Sequence, residues 1–437
     1  MREGAERSPL HVSVEDKVKL AVEIQKTGIK TFVTGMFPDV PHNKEVLLAL
    51  IRAKREGHLH PDTRFFIISH LGDRVDRTIE FLQKDPELHH HTWVLAIHSV
   101  SDQQIDHMFP VIRAGMGNNA DAGDWVSRPL EEKRAISLEW LGCHLSKLTA
   151  LDFIGGFAVG LLDAFRADPA HVREALDVAY ARGSRTLRLV DTAGTCTPHH
   201  VTTFVAPLVQ DYPDVAVHGH FHNDFGMASA NGMEALRVGM RGVDVSVGGL
   251  ANRAGHPALA EVLLGARDLY GLDTTGYDVS GLYDLSRYVE RVYGIMERPA
   301  QPLTGTVTYS VLSGIRTDLL DRAPTIFDIV DPTELGNREL RLFGVRSGEE
   351  GLLRIMRKHE AELAARGVDV DEPTARDIFA RLTAEWSERS ERSRRRLIKA
   401  MAEHQQALEE AFFTEDAVHA WITQACTNAD ETTESLR

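Results

Sequence analysis

Cysteine is scarce in this chain of 437 residues: Cys143, Cys196 and Cys426 are widely separated and odd in number. That pattern argues against a disulfide framework or a cysteine-rich zinc site and fits a reducing cytoplasm. Long apolar runs are missing too. No stretch approaches the roughly 18 residues a membrane helix needs, and the opening MREGAERSPL offers no apolar core for a secretory leader. Positive charge is in deficit, with Lys plus Arg at 49 against 64 Asp plus Glu and a formal net charge of −15. That balance repels nucleic acid and anionic membrane, so neither is expected as a partner. No GxGxxG follows a strand-like run, which removes the usual dinucleotide reading.

Apolar content is ample, at 43%, and its arrangement alternates between two periods. Short apolar or β-branched runs read as buried strands at Ile29–Gly35, Arg64–Ser69, Trp93–Ser99, Leu151–Val159, Thr186–Thr192, Val215–Phe221 and Val243–Gly249. Between them lie segments with helical spacing, such as Val14–Thr27, Pro169–Ala181 and Ala228–Met240. Strands alternating with helices imply parallel pairing through right-handed crossovers. Regular spacing favours a (β/α)8 barrel over an open doubly wound sheet. Seven strands are visible, and the only room for an eighth is at Met1–Gly4.

Past about residue 275 the rhythm breaks. The expected organisation is a barrel over 1–275, a linker over 276–308 that contains the Pro- and Gly-rich RPAQPLTGTVT, a small mixed region over 309–370 and a helical region over 371–437. SERSERSRRR in the last region reads as a solvated helix face, and the triple histidine His89–His91 as a surface turn.

The chemistry concentrates in VAVHGHFHNDFGMASAN. On a strand, His218, His220 and His222 point to one face, which in a barrel is the interior. Two imidazoles two residues apart at a strand end can converge on one cation, whereas an isolated histidine would read as a hydrogen-bonded core residue. His218, a layer deeper, is assigned to packing or to support of the ligands. Another strand end carries Asp191 and Thr192, and Met1–Gly4 supplies Arg2 and Glu3. One carboxylate with two imidazoles suits Zn, Mn, Fe or Co, and Mg less readily.

These residues also carry a resemblance. HGHFHNDFGMASAN resembles the HxHNDxGxAxAN signature of the isopropylmalate synthase and homocitrate synthase family, the DRE-TIM metallolyases. REGAERSPLHVSVEDK is similar to its REGEQ-type opening, LLDAFRAD to EDAxRxD, VDTAGTCTP to DTxGxxTP, and GGLANRAGHPALAEV to GxGERAGNxxLEEV. The motifs keep family order over about residues 2 to 348. The resemblance implies a barrel, Glu3, His220 and His222 as ligands of a divalent metal, Arg2 beside a bound keto group, and Thr192 and Arg166 as holders of acceptor carboxylates. It implies a Claisen condensation in which acetyl-CoA, as co-substrate, attacks a 2-oxo acid and thioester hydrolysis follows. It also implies a homodimer, because YSVLSGIRTDLL is similar to a family segment that reaches the partner's active site.

Departures from the pattern matter. His256 stands where the family has Asn, and is either a fourth ligand or a neighbour of the ligands. Asn252, Leu162 and Glu6 replace family Glu, Glu and Gln. Arg316 and Arg346 replace histidines, and Phe327 stands where homocitrate synthases have Tyr. Arginine is a poor base, so the usual proton relay is altered, while extra cations at Arg316 and Arg346 suit an acceptor with additional negative charge, such as a phosphonate, phosphinate or second carboxylate. Ordinary ion pairs are the alternative role for both. Two other functions stay open: a lyase or aldolase on the same scaffold, against which Gly248–His256 lacks the lyase cysteine, and a non-catalytic barrel.

Overall fold

A computed structural model describes residues 2–7, 10–38, 40–114, 122–296, 298–311, 319–320, 322–323, 326–327, 329–411 and 413–423. Seven parallel strands form one curled sheet in sequential order: β1 (Thr31–Met36), β2 (Arg64–His70), β3 (Thr92–Ser99), β4 (Gly156–Leu162), β5 (Thr186–Asp191), β6 (Ala216–Phe221) and β7 (Gly242–Val243). Helices cross over between them, and several begin where the sequence carries a capping residue. Ser13 caps Val14–Gln25 by accepting from the Asp16 N–H, and Asp168 caps Pro169–Ala181 by accepting from Ala170. Thr197 does the same for Pro198–Asp211 through His200. In the last two, proline occupies the first turn, where its missing N–H costs nothing.

Alternation along the strands builds two cores. Residues such as Phe65, Ile67, Val94, Val159 and Leu189 face outward and pack under the helices. Phe66, Ile68, Leu95 and Ala158 face inward and fill part of the barrel.

Three strand expectations need correction. Met1–Gly4 supplies no strand: Arg2–Arg7 is a helix, and Met1 lies outside the described residues. REGAER has no β-branched or aromatic residue, and apart from Gly4 most of it favours helix. Among the described residues, therefore, the sheet contains seven strands rather than eight. β4 begins at Gly156, not Leu151, because Gly155 and Gly156 pass directly against the Trp93 indole; a Cβ on either would come within 2.4 or 2.5 Å of that ring. β7 is two residues long. Beyond it Gly248 and Gly249 adopt φ of 61° and 74°, left-handed values that end a strand.

The first compact unit comprises Met1–Ser8, Val12–Thr308 and Asp331–Arg338. Residues 276–308, expected as a linker, belong to it and include the helix Leu282–Val292, which buries Leu282, Leu285 and Val289. A second unit contains the strand pair Ser310–Val311 with Leu340–Arg341 and the helices Gly348–Lys358, Glu360–Ala365 and Glu372–Ala411. Its core gathers Leu352, Leu353, Met356 and Ala375.

His98 on β3 offers a test of the packing. It is 4% exposed, its Nε2 lies 2.9 Å from Ser137 Oγ, and burial, with the nearby charges of His171 and His144, pushes its pKa down to about 3. The folded state therefore prefers the neutral ring. Its contribution to stability is complete above the unfolded value near 6.5, declines below it by up to about 1.4 kcal/mol per pH unit, and is lost once pH falls through about 3. Urea denaturation at pH 7 and pH 5 should show this loss, and His98→Gln should reduce the difference between the two.

Candidate metal centre and active site

Four elements bring donors to one end of the barrel. β6 alternates, so His218 and His220 point inward, and His222 follows just past the strand end. The loop after β7 delivers His256, and the short N-terminal helix delivers Arg2 and Glu3. The ring centroids of His220 and His222 lie 5.1 Å apart, His220 and His256 4.4 Å, and His222 and His256 4.6 Å. One ligand nitrogen from each of the three falls within 4.8 Å of the others.

The hydrogen-bond pattern decides which lone pairs remain. His220 Nδ1 lies 2.7 Å from Asp244 Oδ2. An ionised carboxylate can only accept, so Nδ1 carries the proton and Nε2 keeps its lone pair. Burial opposes the Asp244 charge, but the Arg188 guanidinium and the His220 hydrogen bond outweigh it and hold the carboxyl below the usual range. Arg2 Nη1 engages Glu3 Oε1, which leaves Oε2 facing His256 Nε2 across 3.9 Å. Glu3 Oε2, His256 Nε2 and His222 Nδ1 are all buried without a hydrogen-bond partner.

Such orphaned atoms are costly unless something fills the gap between them. Two donors each about 2.1 Å from one cation lie no more than about 4.2 Å apart, so the Glu3–His256 gap suits a shared ion. Protonation does not fill it: burial, with the charges of His220 and Arg253, lowers His222 to about 3, and burial with His220 and His222 lowers His256 well below its ordinary value. Neutral imidazoles with one carboxylate are the donor set a divalent transition metal takes. Glu3, His220, His222 and His256 fit that group.

Loop backbones hold the donors in place. Arg253 Nε and Nη2 reach the two oxygens of Asp224 at 2.9 and 3.0 Å, and Nη2 also donates to the Thr192 carbonyl at 2.6 Å. One guanidinium thus ties together the loops after β5, β6 and β7. Gly255 has φ +112°, and a Cβ there would meet the Gly249 carbonyl oxygen at 2.2 Å. The adjoining amide of His256 donates to that same oxygen at 3.1 Å.

Thr192 closes β5, and its hydroxyl accepts from the Asp163 N–H at 2.9 Å, leaving its own proton to donate. Arg166 makes two 2.8 Å bonds to Asp163, whose Oδ2 also accepts from Ser101, and lies outside the residues lining the central cavity. That cavity, about 960 Å³, is lined by Arg2, Glu3, Thr192 and the histidines 218, 220, 222 and 256. His218 lies a layer deeper and is half-buried; partial burial, with Arg188 nearby, lowers its pKa. Arg346 and Phe327 belong to the second unit, and Arg316 falls outside the described residues. Sequence reasoning missed Asp244, Arg188 and the Arg253–Asp224 tie. Strand alternation could have placed Arg188 on the face of Thr192, whereas nothing local marks Asp244 as the partner of His220.

Geometry of this kind predicts a specific sensitivity. Gly255→Ala should displace His256 and lower divalent-metal affinity by about 10-fold or more, the effect expected when ligand support is disturbed. Gly281→Ala, where a Cβ meets nothing within 4 Å, should leave it unchanged. Competition with a chromogenic chelator measures both; equal affinities would exclude His256 from the site.

Comparison with known proteins follows the same residues. A family model described as HMGL-like matches residues 138–289. The 2-isopropylmalate synthase 2 of Caldanaerobacter subterraneus is 32% identical over 213 residues, 47% of this chain and 55% of that protein. The homocitrate synthase AksA of Methanopyrus kandleri is 30% identical over 202 residues, 46% of this chain and 49% of that one. In both cases the chain spans about half the length of the relative it matches. The 2-isopropylmalate synthase of Sulfolobus acidocaldarius is 24% identical over 384 residues, 87% of each chain. Among solved structures, an HMG-CoA lyase from Acenitobacter baumannii in complex with coenzyme A and 3-methylmalate superposes with a TM-score of 0.50 at 18% identity, covering 75% of this chain and 94% of that one, a likeness of fold. The chain thus carries an HMGL-like region over residues 138–289 and is similar to proteins named 2-isopropylmalate synthase and homocitrate synthase.

Proposed function

We propose that this protein is a metal-dependent acyltransferase that condenses acetyl-CoA with an anionic 2-oxo acid to give a substituted malate and free CoA. The observation that carries the reading is the convergence of Glu3, His220, His222 and His256, with three of their polar atoms buried and unpartnered, in a cavity that Arg2 and Thr192 also line.

A divalent cation (Zn, Mn, Co, Fe or Mg) held by those four residues would supply Lewis-acid polarisation of the acceptor's keto group. Around it the chain's own groups have separable tasks. Arg2, fixed against Glu3, brings a guanidinium to the side where the keto oxygen gains negative charge. Thr192 has a hydroxyl proton free to donate to the acceptor's carboxylate. Asp244 keeps the His220 ring in one orientation and tautomer. A base takes a proton from the acetyl methyl, the resulting carbanion attacks C2 of the acceptor as its C=O π bond opens to an alkoxide that takes up a proton, and water then cleaves the thioester to a carboxylate and free CoA.

The replacements Arg316 and Arg346 favour an acceptor with an extra anionic group, so products of the homocitrate, phosphonomethylmalate or phosphinomethylmalate type fit better than those from apolar acceptors. A homodimer in the cytoplasm completes the reading: the segment around Arg316 resembles one that serves a partner subunit, and the described cysteines, Cys143 and Cys196, are unpaired.

Incubation with acetyl-CoA, a divalent metal and a panel of 2-oxo acids, with free thiol as the readout, tests the proposal. At least one acceptor should raise CoA release above background, and Glu3→Ala and His222→Ala should lower it by about 100-fold or more while depleting bound metal. Release no greater with any acceptor than without one would contradict the condensation.

A further inference from the structure

The barrel interior is divided by chemistry. Midway along β1 to β4 the inward residues are apolar, with Val33, Phe66, Ile68, Leu95 and Ala158 in one cluster, while Arg64 and His70 stand at the two ends of β2. β5 and β6 bring Arg188, His218 and His220 to the opposite side. Pairing sets their depths: Arg188 lies beside His218, and Val190 beside His220. Arg188 therefore sits one inward layer beneath the imidazole cluster, about 6.6 Å along the strand.

Arg188 is 7% exposed and lines the same cavity as Glu3 and the histidines. Its Nε is 3.0 Å from Asp244 Oδ2, an ion pair too poorly aligned to count as a hydrogen bond, and Nη1 has no hydrogen-bond partner either. The Phe66 ring stands 5.9 Å from its Cζ. A guanidinium stays charged in any protein, and burying it beside apolar walls with an N–H unpaired is unfavourable. Support of Asp244 uses the Nε side of the group, and the side chain also lines the cavity.

We propose that Arg188 is a specificity-determining residue whose guanidinium receives the second anionic group, a carboxylate or phosphonate, on the side chain of the 2-oxo acid acceptor. The inference rests on the condensation reading above and adds the position that reads the acceptor's far end. The acceptor's keto end lies among the imidazoles and its side chain descends one layer into the barrel. A short 2-oxo acid with a terminal anion spans that step; an apolar branched acceptor would leave the guanidinium desolvated and unpaired, which disfavours it.

Equilibrium titration of the metal-loaded protein, without acetyl-CoA, tests this apart from turnover. The probes are oxaloacetate, 2-oxoglutarate and 3-phosphonopyruvate against pyruvate and 2-oxoisovalerate. Wild type should bind at least one anionic-side-chain probe more tightly than both uncharged ones. With metal kept saturating, Arg188→Met should weaken that probe by about 10- to 100-fold, the value of a charge-assisted hydrogen bond, with little change for 2-oxoisovalerate. Arg188→Lys should recover part of the preference, and melting curves of both variants establish that they fold. The proposal is overturned if wild type shows no such preference, or if Arg188→Met weakens all probes alike, the result expected of a residue that only positions Asp244. CoA release with the same panel reports separately on condensation: selective binding without release removes that activity and leaves Arg188 as an anion reader.

Discussion

Three imidazoles pressed together in a buried cavity cannot all carry charge, and the structure around them follows from that constraint. Burial and mutual repulsion keep His222 and His256 neutral. Asp244 accepts a hydrogen bond from His220 Nδ1–H, which leaves the Nε2 lone pair for the common space. What remains is a set of lone pairs and one carboxylate oxygen facing a common space, an arrangement that is unfavourable empty and favourable around a cation. A water molecule would satisfy some of these atoms, but a donor set made almost wholly of lone pairs is better matched by a metal.

Holding such a set together takes one cross-loop side chain and a close backbone approach. Arg253 ties three loops at once, and Gly255 lets the chain pass close enough to Gly249 for His256 to enter. The same economy shapes the interior below. Val33, Phe66, Ile68, Leu95 and Ala158 make an apolar patch across β1 to β4, while Arg188, His218 and Asp244 place polar groups across from it.

Much of this was legible in the residues. Strand and helix alternation gave the parallel barrel, Ser13, Asp168 and Thr197 marked helix starts, and the alternation of His218, His220 and His222 gave one shared face. The motifs drew Glu3 and His256 toward the same site. Local pattern failed where tertiary packing decides. The Met1–Gly4 strand was inferred from the need to close a barrel, whereas REGAER by itself prefers helix. Leu151–Gly155 has a strand-like composition, yet Gly155 and Gly156 are shaped by the Trp93 ring on a neighbouring strand. Asp244 and Arg188 act through contacts across strands, and no spacing within the chain announces them.

X-ray absorption on the metal-loaded protein, with cobalt or zinc as the ion, probes the donor set itself. Three imidazole nitrogens and at least one carboxylate oxygen in the inner coordination sphere are expected, falling to two imidazoles in His256→Ala. A sphere with two or fewer imidazoles in the unaltered protein, or one made only of oxygen, would contradict the four-residue centre on which the proposed chemistry depends.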